Sequence, residues 1–291
     1  MSTPLPAKLY LGCPAWADAR WRGSLFTADA KREEFLPQYA RVFNATEGNA
    51  TFYGLPSPET VARWTAEAPA HFRFCWKFPR TITHDLQLAN AEAATREFLE
   101  RMAPLGARLG MFFLQLHASF DARRLRDLAA YLRTLPREHR YAVEVRSADF
   151  FDGGANERAL DTLLGELGME RALFDTHALF ASTATDEATR EAQRKKPRVP
   201  VRHTALGQQP FVRFVGEPDL ARNDGALREW AAVVARWIGE GRTPYFFAHH
   251  PDDTFAPVLA RRFHALLHEL CPAVPASAAW PGKQAAQLSL F

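Results

Sequence analysis

Charged and polar side chains stand inside or directly after several apolar runs of this 291-residue chain. Such residues are costly in a hydrophobic core, on the order of 3–5 kcal/mol for a buried charge that has lost its partner. They therefore require partners or a ligand. The residues in question are Glu47, Asn49, Lys77, Gln115, Glu144, Arg146, Asp175, His177, Arg213 and His249.

The charged members of this set predict acid–base chemistry on an anionic substrate. Glu47 and Glu144 form a candidate carboxylate pair, in which an environment that raises one pKa would separate acid from base. Lysine and arginine suit a phosphate or carboxylate, and arginine can bind either group through two N–H bonds. We predict that the catalytic residues are Glu47, Lys77, Glu144, Arg146, Asp175 and Arg213.

A purely internal ion-pair network is the alternative interpretation of the same residues. Glu144 with Arg213, or Glu47 with Lys77, would then only neutralise one another inside the protein. Contributions from five or more strands favour the functional interpretation.

Aromatic and amide side chains near predicted loops indicate where a substrate would lie. Trp16 and Tyr53 could stack on a base or sugar ring, while Asn49 and Gln115 would orient its polar groups. The predicted substrate-binding residues are Trp16, Asn49, Tyr53, His84, Gln115 and His249.

A divalent metal is a secondary hypothesis, and the sequence leaves the cofactor unknown. Oxygen and nitrogen ligands are available on neighbouring strands. Asp175-Thr176-His177 places two of them on one side of an extended segment. The sequence contains no His-Glu-x-x-His and no paired Cys-x-x-Cys. If a metal is bound, we expect its ligands to be Glu144, Asp175, His177 and His249.

Eight short apolar runs must position these residues. Most are unbroken apolar blocks, which are typical of parallel strands buried on both faces. They are Leu9–Cys13, Ala45–Glu47, Phe72–Lys77, Met111–Leu116, Tyr141–Val145, Ala172–Asp175, Phe211–Val215 and Tyr245–Ala248. Eight successive strand–helix units predict a (β/α)8 TIM barrel, an α/β fold whose strand ends gather around one opening.

Amphipathic segments between the runs supply the helices. Asp121–Leu135 and Ala256–Leu270 have apolar residues at helical spacing. Ser57 should cap a helix that begins at Pro58, and Asn156 another.

The chain divides into a single barrel domain and a tail. The barrel is predicted to span residues 1–275, with a polar, partly mobile excursion at 181–210 that replaces or extends the sixth helix. Residues 276–291 are predicted to form a flexible tail outside the barrel.

Composition predicts a soluble cytoplasmic protein without a membrane partner. Apolar residues make up 47% and charged residues 24% of the chain, which excludes a disordered or fibrous protein. The net charge of +3 is too small to prove a polyanionic partner. The first ten residues lack the features of a secretory signal, and three scattered cysteines indicate a reducing compartment.

Several ordered motifs carry a resemblance to a known family. They are Glu47-Gly48-Asn49-Ala50-Thr51-Phe52-Tyr53, Lys77-Phe78-Pro79 with Thr83-His84, Leu114-Gln115-Leu116, Val143-Glu144-Val145-Arg146 and Val212-Arg213-Phe214. This sequence resembles the YecE-like proteins, a family defined by a domain of unknown function, from about Leu9 to about Leu267. The resemblance implies a TIM barrel and leaves the reaction open.

The last five residues resemble a different signal. Gln287-Leu288-Ser289-Leu290-Phe291 is similar to the peptide by which bacterial polymerases and repair proteins dock on the DNA polymerase sliding clamp. Leu290 and Phe291 would anchor in an apolar groove, and Gln287 would form hydrogen bonds at its edge. The alternative is a tail that packs on its own barrel.

Together these features favour a replication- or repair-associated protein that is tethered to the sliding clamp. Its barrel mouth would act on DNA, RNA or another phosphate ester as a phosphodiesterase- or nuclease-like hydrolase, aided by the basic Arg190–Arg202 stretch. One alternative is an enzyme that transfers protons on a sugar phosphate through its glutamates. The other is a binding scaffold without catalysis.

Overall fold

Eight parallel strands form a nearly closed barrel in a computed structural model of the chain, which describes residues 8–283. The strands are β1 (Tyr10–Gly12), β2 (Ala45–Gly48), β3 (Arg73–Lys77), β4 (Leu109–Gln115), β5 (Arg140–Glu144), β6 (Glu170–Asp175), β7 (Phe211–Val215) and β8 (Tyr245–His249). Successive strands from β2 to β8 pair with one another, and β8 pairs in turn with β1. The predicted TIM barrel is confirmed.

Helices surround the barrel between successive strands. They are α1 (Phe35–Tyr39), α2 (Pro58–Glu67), α3 (Glu92–Met102), α4 (Leu125–Thr134), α5 (Ala155–Glu166), α6 (His177–Ala181), α7 (Glu187–Lys195), α8 (Asp224–Gly239) and α9 (Ala256–Leu270). Ser57 caps α2 as predicted, because its hydroxyl accepts the Thr60 N–H at 3.2 Å. The cap predicted at Asn156 is wrong, since α5 already begins at Ala155. Over residues 8–283, no helix combines the length and apolar character needed to span a membrane.

The inward side chains of the strands divide into an apolar layer and a polar layer. Alternate residues of a strand face the same side of a sheet. Apolar residues fill the middle of the barrel, namely Ala45, Cys75, Met111, Phe113, Ala142, Ala172, Phe211, Tyr245 and Phe247. Two residues further along their strands stand Glu47, Lys77, Gln115, Glu144, Arg213 and His249, all buried. The apolar plug therefore ends in a polar layer at the carboxyl ends of the strands.

Residues 181–210 include a helix that the sequence did not reveal. Helix α7 is highly polar and buries only Thr189 and Ala192. Ala192 packs with Phe174, Leu179 and Val215, which lie at or just after the carboxyl ends of β6 and β7. The apolar face of α7 is too small to produce a clear helical pattern. This helix nevertheless covers one side of the barrel opening.

The structure also differs from the predicted tail. Trp280 is buried, and the Arg261 guanidinium lies 5.2 Å from the centre of its ring. Gly282 approaches the backbone of Phe26 so closely that a Cβ at this position would lie 2.3 Å from the Phe26 oxygen. The chain therefore packs back on the barrel at residues 280–282. The predicted clamp-binding pentapeptide, residues 287–291, lies outside the described residues.

Closure of the barrel between β1 and β2 depends on the absence of a side chain at Gly12. A Cβ there would lie 1.9 Å from the Ala45 oxygen and 2.8 Å from the Tyr39 hydroxyl. That hydroxyl accepts the Cys13 N–H at 2.7 Å and donates to the Ala45 oxygen at 3.0 Å. We therefore expect Gly12→Ala to lower the free energy of unfolding by about 3 kcal/mol or more in urea denaturation.

Gly165→Ala is the matched control for this substitution. Gly165 is an exposed residue of α5, and nothing lies within 4 Å of a Cβ added to it. Because alanine is the better helix former, we expect a gain of about 0.5–1 kcal/mol. Equal unfolding free energies for the two variants would contradict the close-approach explanation.

Candidate functional site

Arg213 lies at the centre of an ion-pair network that crosses the barrel interior. Its Nε and Nη2 atoms donate to Glu47 of β2 at 2.8 and 2.7 Å, and its Nη1 donates to Glu144 of β5. Both glutamates are fully buried, and Arg213 is 5% exposed. The guanidinium carbon lies 5.1 Å from the ring centre of Phe113 and 4.8 Å from that of Phe174. One cation thus joins three strands that are distant in the sequence.

The network fixes the ionisation of both glutamates. Burial alone would raise the pKa of Glu47, but the charges of Arg213 and His249 hold it well below its usual range. The pKa of Glu144 is likewise lowered, because Arg213 and Arg146 outweigh the effect of burial. The predicted separation into one raised and one ordinary carboxyl pKa is therefore wrong. Both groups are carboxylates at neutral pH.

A second part of the network is organised around the Gln115 amide. Arg146 donates from Nε to Glu144 at 2.8 Å and from Nη2 to the Gln115 oxygen at 2.7 Å. Lys77 donates to the same amide oxygen at 2.8 Å. The Lys77 Nζ also lies 3.8 Å from the centre of the Phe52 ring. One neutral oxygen therefore serves two cations.

Lys77 has no anionic partner of its own. Among the residues from 8 to 283, no carboxylate lies within 4.0 Å of its Nζ, because Glu47 and Glu144 pair with arginines. Burial, followed by the charge of Arg213, lowers the pKa of Lys77 to about 7. The pairing of Glu47 with Lys77 that the sequence suggested is thus wrong, whereas the pairing of Glu144 with Arg213 is confirmed.

A cavity of about 930 Å³ opens beside the Glu47 side of the network. Asn49 donates to Glu47 at 2.8 Å, and the Nε2 atom of His249 lies 3.2 Å from the same carboxylate. Trp16 and Tyr53 line the cavity together with Glu47 and Asn49. Tyr53 is 85% exposed, which is unusual for a large aromatic side chain and leaves its ring free to contact a ligand. The cavity therefore combines aromatic surfaces with polar groups of the network.

The seven-residue motif from Glu47 to Tyr53 can be explained by contacts. Gly48 leaves no room for a side chain, since a Cβ would lie 2.2 Å from the Trp76 ring. The Thr51 hydroxyl donates to the Lys77 oxygen at 2.6 Å, and Phe52 lies against the Lys77 amine. The motif thus supports Lys77 as well as supplying Glu47.

His84 lies beside Phe52 on a π-helical turn, Thr81–Asp85. Its ring is edge-on to Phe52, with centroids 4.9 Å apart, and its Nδ1 is 2.9 Å from the Thr83 hydroxyl. Burial and the nearby charge of Lys77 lower the pKa of His84 to about 4. His84 is therefore neutral at pH 7, and it contacts the same ring as Lys77.

Asp175 and His177 do not join the network, so their predicted placement there is wrong. Asp175 accepts the Trp230 indole N–H at 2.7 Å and the His177 backbone N–H at 2.8 Å. It follows the inward-facing Phe174 and so points to the opposite face of β6, towards α8. His177 is exposed on α6. The sequence shows that Asp175 is a polar residue at the end of a strand. Which face of the strand its side chain points to depends on a shift of a single residue.

The predicted metal set is corrected for the same reason. Across the described part of the chain, no three His, Cys, Asp or Glu side chains form a group able to hold a metal ion. Glu144 faces the barrel interior, whereas Asp175 faces the helices and His177 is exposed. The set Glu144, Asp175, His177 and His249 is therefore not a metal site in this structure.

Two charged residues near the network were not among the predicted site residues. Lys196 follows α7, and burial lowers its pKa although Asp253 acts in the opposite direction. Asp253 has a φ of 62° in the loop after β8, and burial raises its pKa. The charges of Glu47 and Lys196 both act on Asp253. Neither residue lies in a strand, so the pattern of polar strand ends gave no signal for them.

Removal of Arg213 would leave two like charges buried at the centre of the barrel. We expect Arg213→Met to lower the free energy of unfolding at pH 7 by about 3–5 kcal/mol. Arg213 lowers the pKa values of both glutamates in the native protein, so their ionised forms stabilise it above a pH of about 4.3, the pKa of an ordinary glutamate. This stabilisation is lost as the pH falls towards the lowered pKa values. The difference between the native and variant proteins in urea denaturation should therefore be smaller at pH 4 than at pH 7.

Arg123→Met provides the comparison, because this arginine is 89% exposed and pairs with Asp121 at the surface. Exposed ion pairs contribute little to stability, so Arg123→Met should lower the free energy of unfolding only slightly at both pH values. A loss for Arg213→Met that is equal at pH 7 and pH 4 would contradict the assignment of the two carboxylates.

Comparisons with known proteins agree with the motifs. The family model described as "Protein of unknown function DUF72" matches residues 10–284. The UPF0759 protein YecE of Escherichia coli K12 is 39% identical over 283 residues, which cover 97% of this chain and 100% of that protein. A DUF72 family protein from Thermotoga maritima MSB8 superimposes with a TM-score of 0.68 at 21% identity, covering 89% of this chain and 99% of that one. Another, from Enterococcus faecalis V583, gives 0.67 at 19% identity, covering 89% and 95%. The chain therefore belongs to the DUF72 family, as the ordered motifs between Glu47 and Arg213 predict.

Proposed function

We propose that the barrel mouth binds and acts on a phosphate ester within a nucleotide unit, as a hydrolase associated with DNA replication or repair. The observation that carries this proposal is that basic side chains outnumber carboxylates in the network. Lys77, Arg146 and Arg213 share one network with only two carboxylates, Glu47 and Glu144. Two arginines satisfy both carboxylates, so an anion is the group that would complete the network.

Arg146 and Lys77 are the basic side chains best placed to receive that anion. The Arg146 side chain is 15% exposed, whereas the network glutamates are completely enclosed. Both cations donate to the Gln115 amide oxygen, a neutral acceptor that a phosphate oxygen can outcompete. Lys196 is a further basic side chain that interacts electrostatically with Arg213 and Arg146, and the nearby Asp253 acts on it in the opposite direction. These groups lie in a desolvated layer, where charge–charge attraction is stronger than in water.

The adjoining cavity suits the remainder of a nucleotide. Trp16 and Tyr53 offer aromatic faces, and stacking on such faces tolerates any base. Asn49 reaches the same cavity and could orient a sugar hydroxyl. Lys77, whose pKa is about 7, can exchange a proton at neutral pH. It would deliver that proton to the leaving oxygen of the ester.

Binding of a fluorescent single-stranded oligonucleotide, followed by anisotropy, tests this proposal. We expect the logarithm of the affinity to fall linearly with the logarithm of the salt concentration. Arg146→Gln should weaken binding by about tenfold, because it removes one desolvated, charge-assisted contact. The melting temperature of the variant verifies that the barrel remains folded.

Arg133→Gln is the control, since Arg133 is exposed in the last turn of α4, at the opposite end of the barrel from the mouth. It should bind the oligonucleotide as the unchanged protein does. Affinity that is independent of salt, or equal weakening by the two substitutions, would count against a phosphate site at the mouth.

We propose in addition that residues 287–291 dock on the bacterial sliding clamp. Support comes from the sequence Gln287-Leu288-Ser289-Leu290-Phe291, in which every position fits the docking peptide. Burial of Trp280 anchors the preceding chain on the barrel. Docking would raise the local concentration of the barrel at replicating DNA.

A pull-down with purified sliding clamp tests the docking peptide. The full chain should retain the clamp, whereas a version that lacks Leu290 and Phe291 should not, because these side chains supply the apolar anchors. Ser289→Ala keeps both anchors and should retain the clamp. Equal recovery with the full and shortened chains would refute docking.

A further inference from the structure

Anion binding alone does not explain why the mouth contains a buried amine beside Arg146, with which it shares the Gln115 oxygen. We propose that Lys77 forms a covalent imine with the aldehyde or ketone of a phosphorylated sugar. This inference rests on the proposed function only for its anion site, at Arg146, and adds a specific chemical step and substrate class. A lysine that forms an imine needs a free amine and a neighbouring site that holds the substrate. The carbonyl carbon of the substrate must also be able to reach the amine.

The contacts of Lys77 favour the free amine. A buried lysine beside a carboxylate keeps its proton, but the two buried carboxylates here are already bound by Arg213 and Arg146. Lys77 is left with the neutral oxygen of Gln115 and the face of Phe52. Neither contact compensates a full positive charge in a desolvated position. The ammonium form is therefore disfavoured by the geometry.

The surrounding charges, taken together, also favour the free amine of Lys77. Burial has the largest effect, and Arg213 and Arg146 also lower the pKa of Lys77, while Glu144 and Glu47 raise it. The result is a pKa of about 7. His84 faces the same region but is neutral at pH 7, since its own pKa is about 4. At neutral pH a large fraction of Lys77 is free amine, whereas an ordinary lysine has a pKa of about 10.4 and is almost fully protonated.

The shared acceptor explains why the substrate should be phosphorylated. Lys77 Nζ and Arg146 Nη2 both donate to the Gln115 oxygen, so the two cations are neighbours. A phosphate bound by Arg146 would place the rest of a small sugar beside the amine. Lys77 retains 9% of its surface exposed, so the residue is not completely enclosed. The phosphate supplies the binding, and the amine supplies the reaction.

The proposed step balances without a cofactor. The Lys77 ammonium first loses a proton to solvent, and the nitrogen lone pair then attacks the carbonyl carbon as the C–O π bond breaks. The resulting carbinolamine hydroxyl takes up a proton and leaves as water. A protonated C=N bond remains, which carries the original positive charge. One carbonyl compound is consumed and one water is released, with no oxidation or reduction.

Reductive trapping tests the inference with 2-deoxyribose 5-phosphate as the probe, because its open-chain form carries an aldehyde. Incubation of the full chain with this sugar and sodium borohydride should add the mass of one sugar phosphate less one oxygen atom. Peptide mapping should locate that adduct on Lys77. Unphosphorylated 2-deoxyribose at the same concentration should be trapped at least tenfold more slowly, since it lacks the anion that Arg146 binds.

Lys77→Met should abolish the adduct. This substitution removes a buried cation from the neighbourhood of two arginines, so the barrel should remain folded, and the mapping of the unchanged protein is informative in any case. Lys195→Met is the matched control, because the Lys195 side chain is 72% exposed and pairs with Glu191. It should be trapped as the unchanged protein is.

The initial trapping rate should rise with pH through a midpoint near 7 and become constant above about pH 8, as the amine loses its proton. An adduct on Lys195 or Lys196, or an equal adduct in Lys77→Met, would overturn the inference. Calorimetric titration of the sugar phosphate without borohydride separates the two proposals. Binding that Arg146→Gln weakens, without any adduct, would refute the imine alone, whereas absence of binding would refute both the imine and the anion site for this ligand.

Discussion

The ion pairs of Arg213 with Glu47 and Glu144 are the interaction on which the rest of this site depends. Two carboxylates without solvent exposure can remain ionised only if a cation is held directly against them. Arg213 satisfies both at once, because its planar group donates to Glu47 through two bonds and to Glu144 through a third. Three strands on different sides of the barrel are thereby linked within the layer that ends its apolar core.

This arrangement determines which partners remain for Lys77. Because the carboxylates are occupied by arginines, Lys77 receives only an amide oxygen and an aromatic face. A network that served only to close the barrel would be complete with Glu47, Glu144, Arg213 and Arg146. Another buried amine adds a charge that both arginines repel and both glutamates attract, and burial disfavours that charge most of all. In the function that we propose, Lys77 supplies the reactive group, which a purely structural network would not need.

The two sides of the layer differ in character. On the Glu47 side, a large cavity with aromatic surfaces adjoins the network. On the Arg146 side, the end of α7 lies over it, since the Lys195 carbonyl accepts from Arg146 at 3.3 Å. A ligand with an aromatic or sugar portion and an anionic portion matches this division. The family relationship supplies the fold and leaves the chemistry to these contacts.

The sequence by itself determined the barrel and the layer to which most site residues belong. Unbroken apolar runs and a two-residue strand period are local properties, and they located all eight strands as well as Glu47, Lys77, Gln115, Glu144 and Arg213 at their carboxyl ends. The family motifs supported the same positions. Helix α7 escaped prediction because only two of its side chains are buried.

Only the tertiary structure decided which charges pair and which way each side chain faces. Glu47 and Arg213 are 166 residues apart, and nothing local distinguishes Arg213 from Lys77 as the partner of Glu47. Asp175 differs from the inward-facing positions by a single residue of register, and this is enough to direct it to Trp230 among the helices. Pairing across a closed barrel depends on the stagger and facing of strands, which no short stretch of sequence encodes.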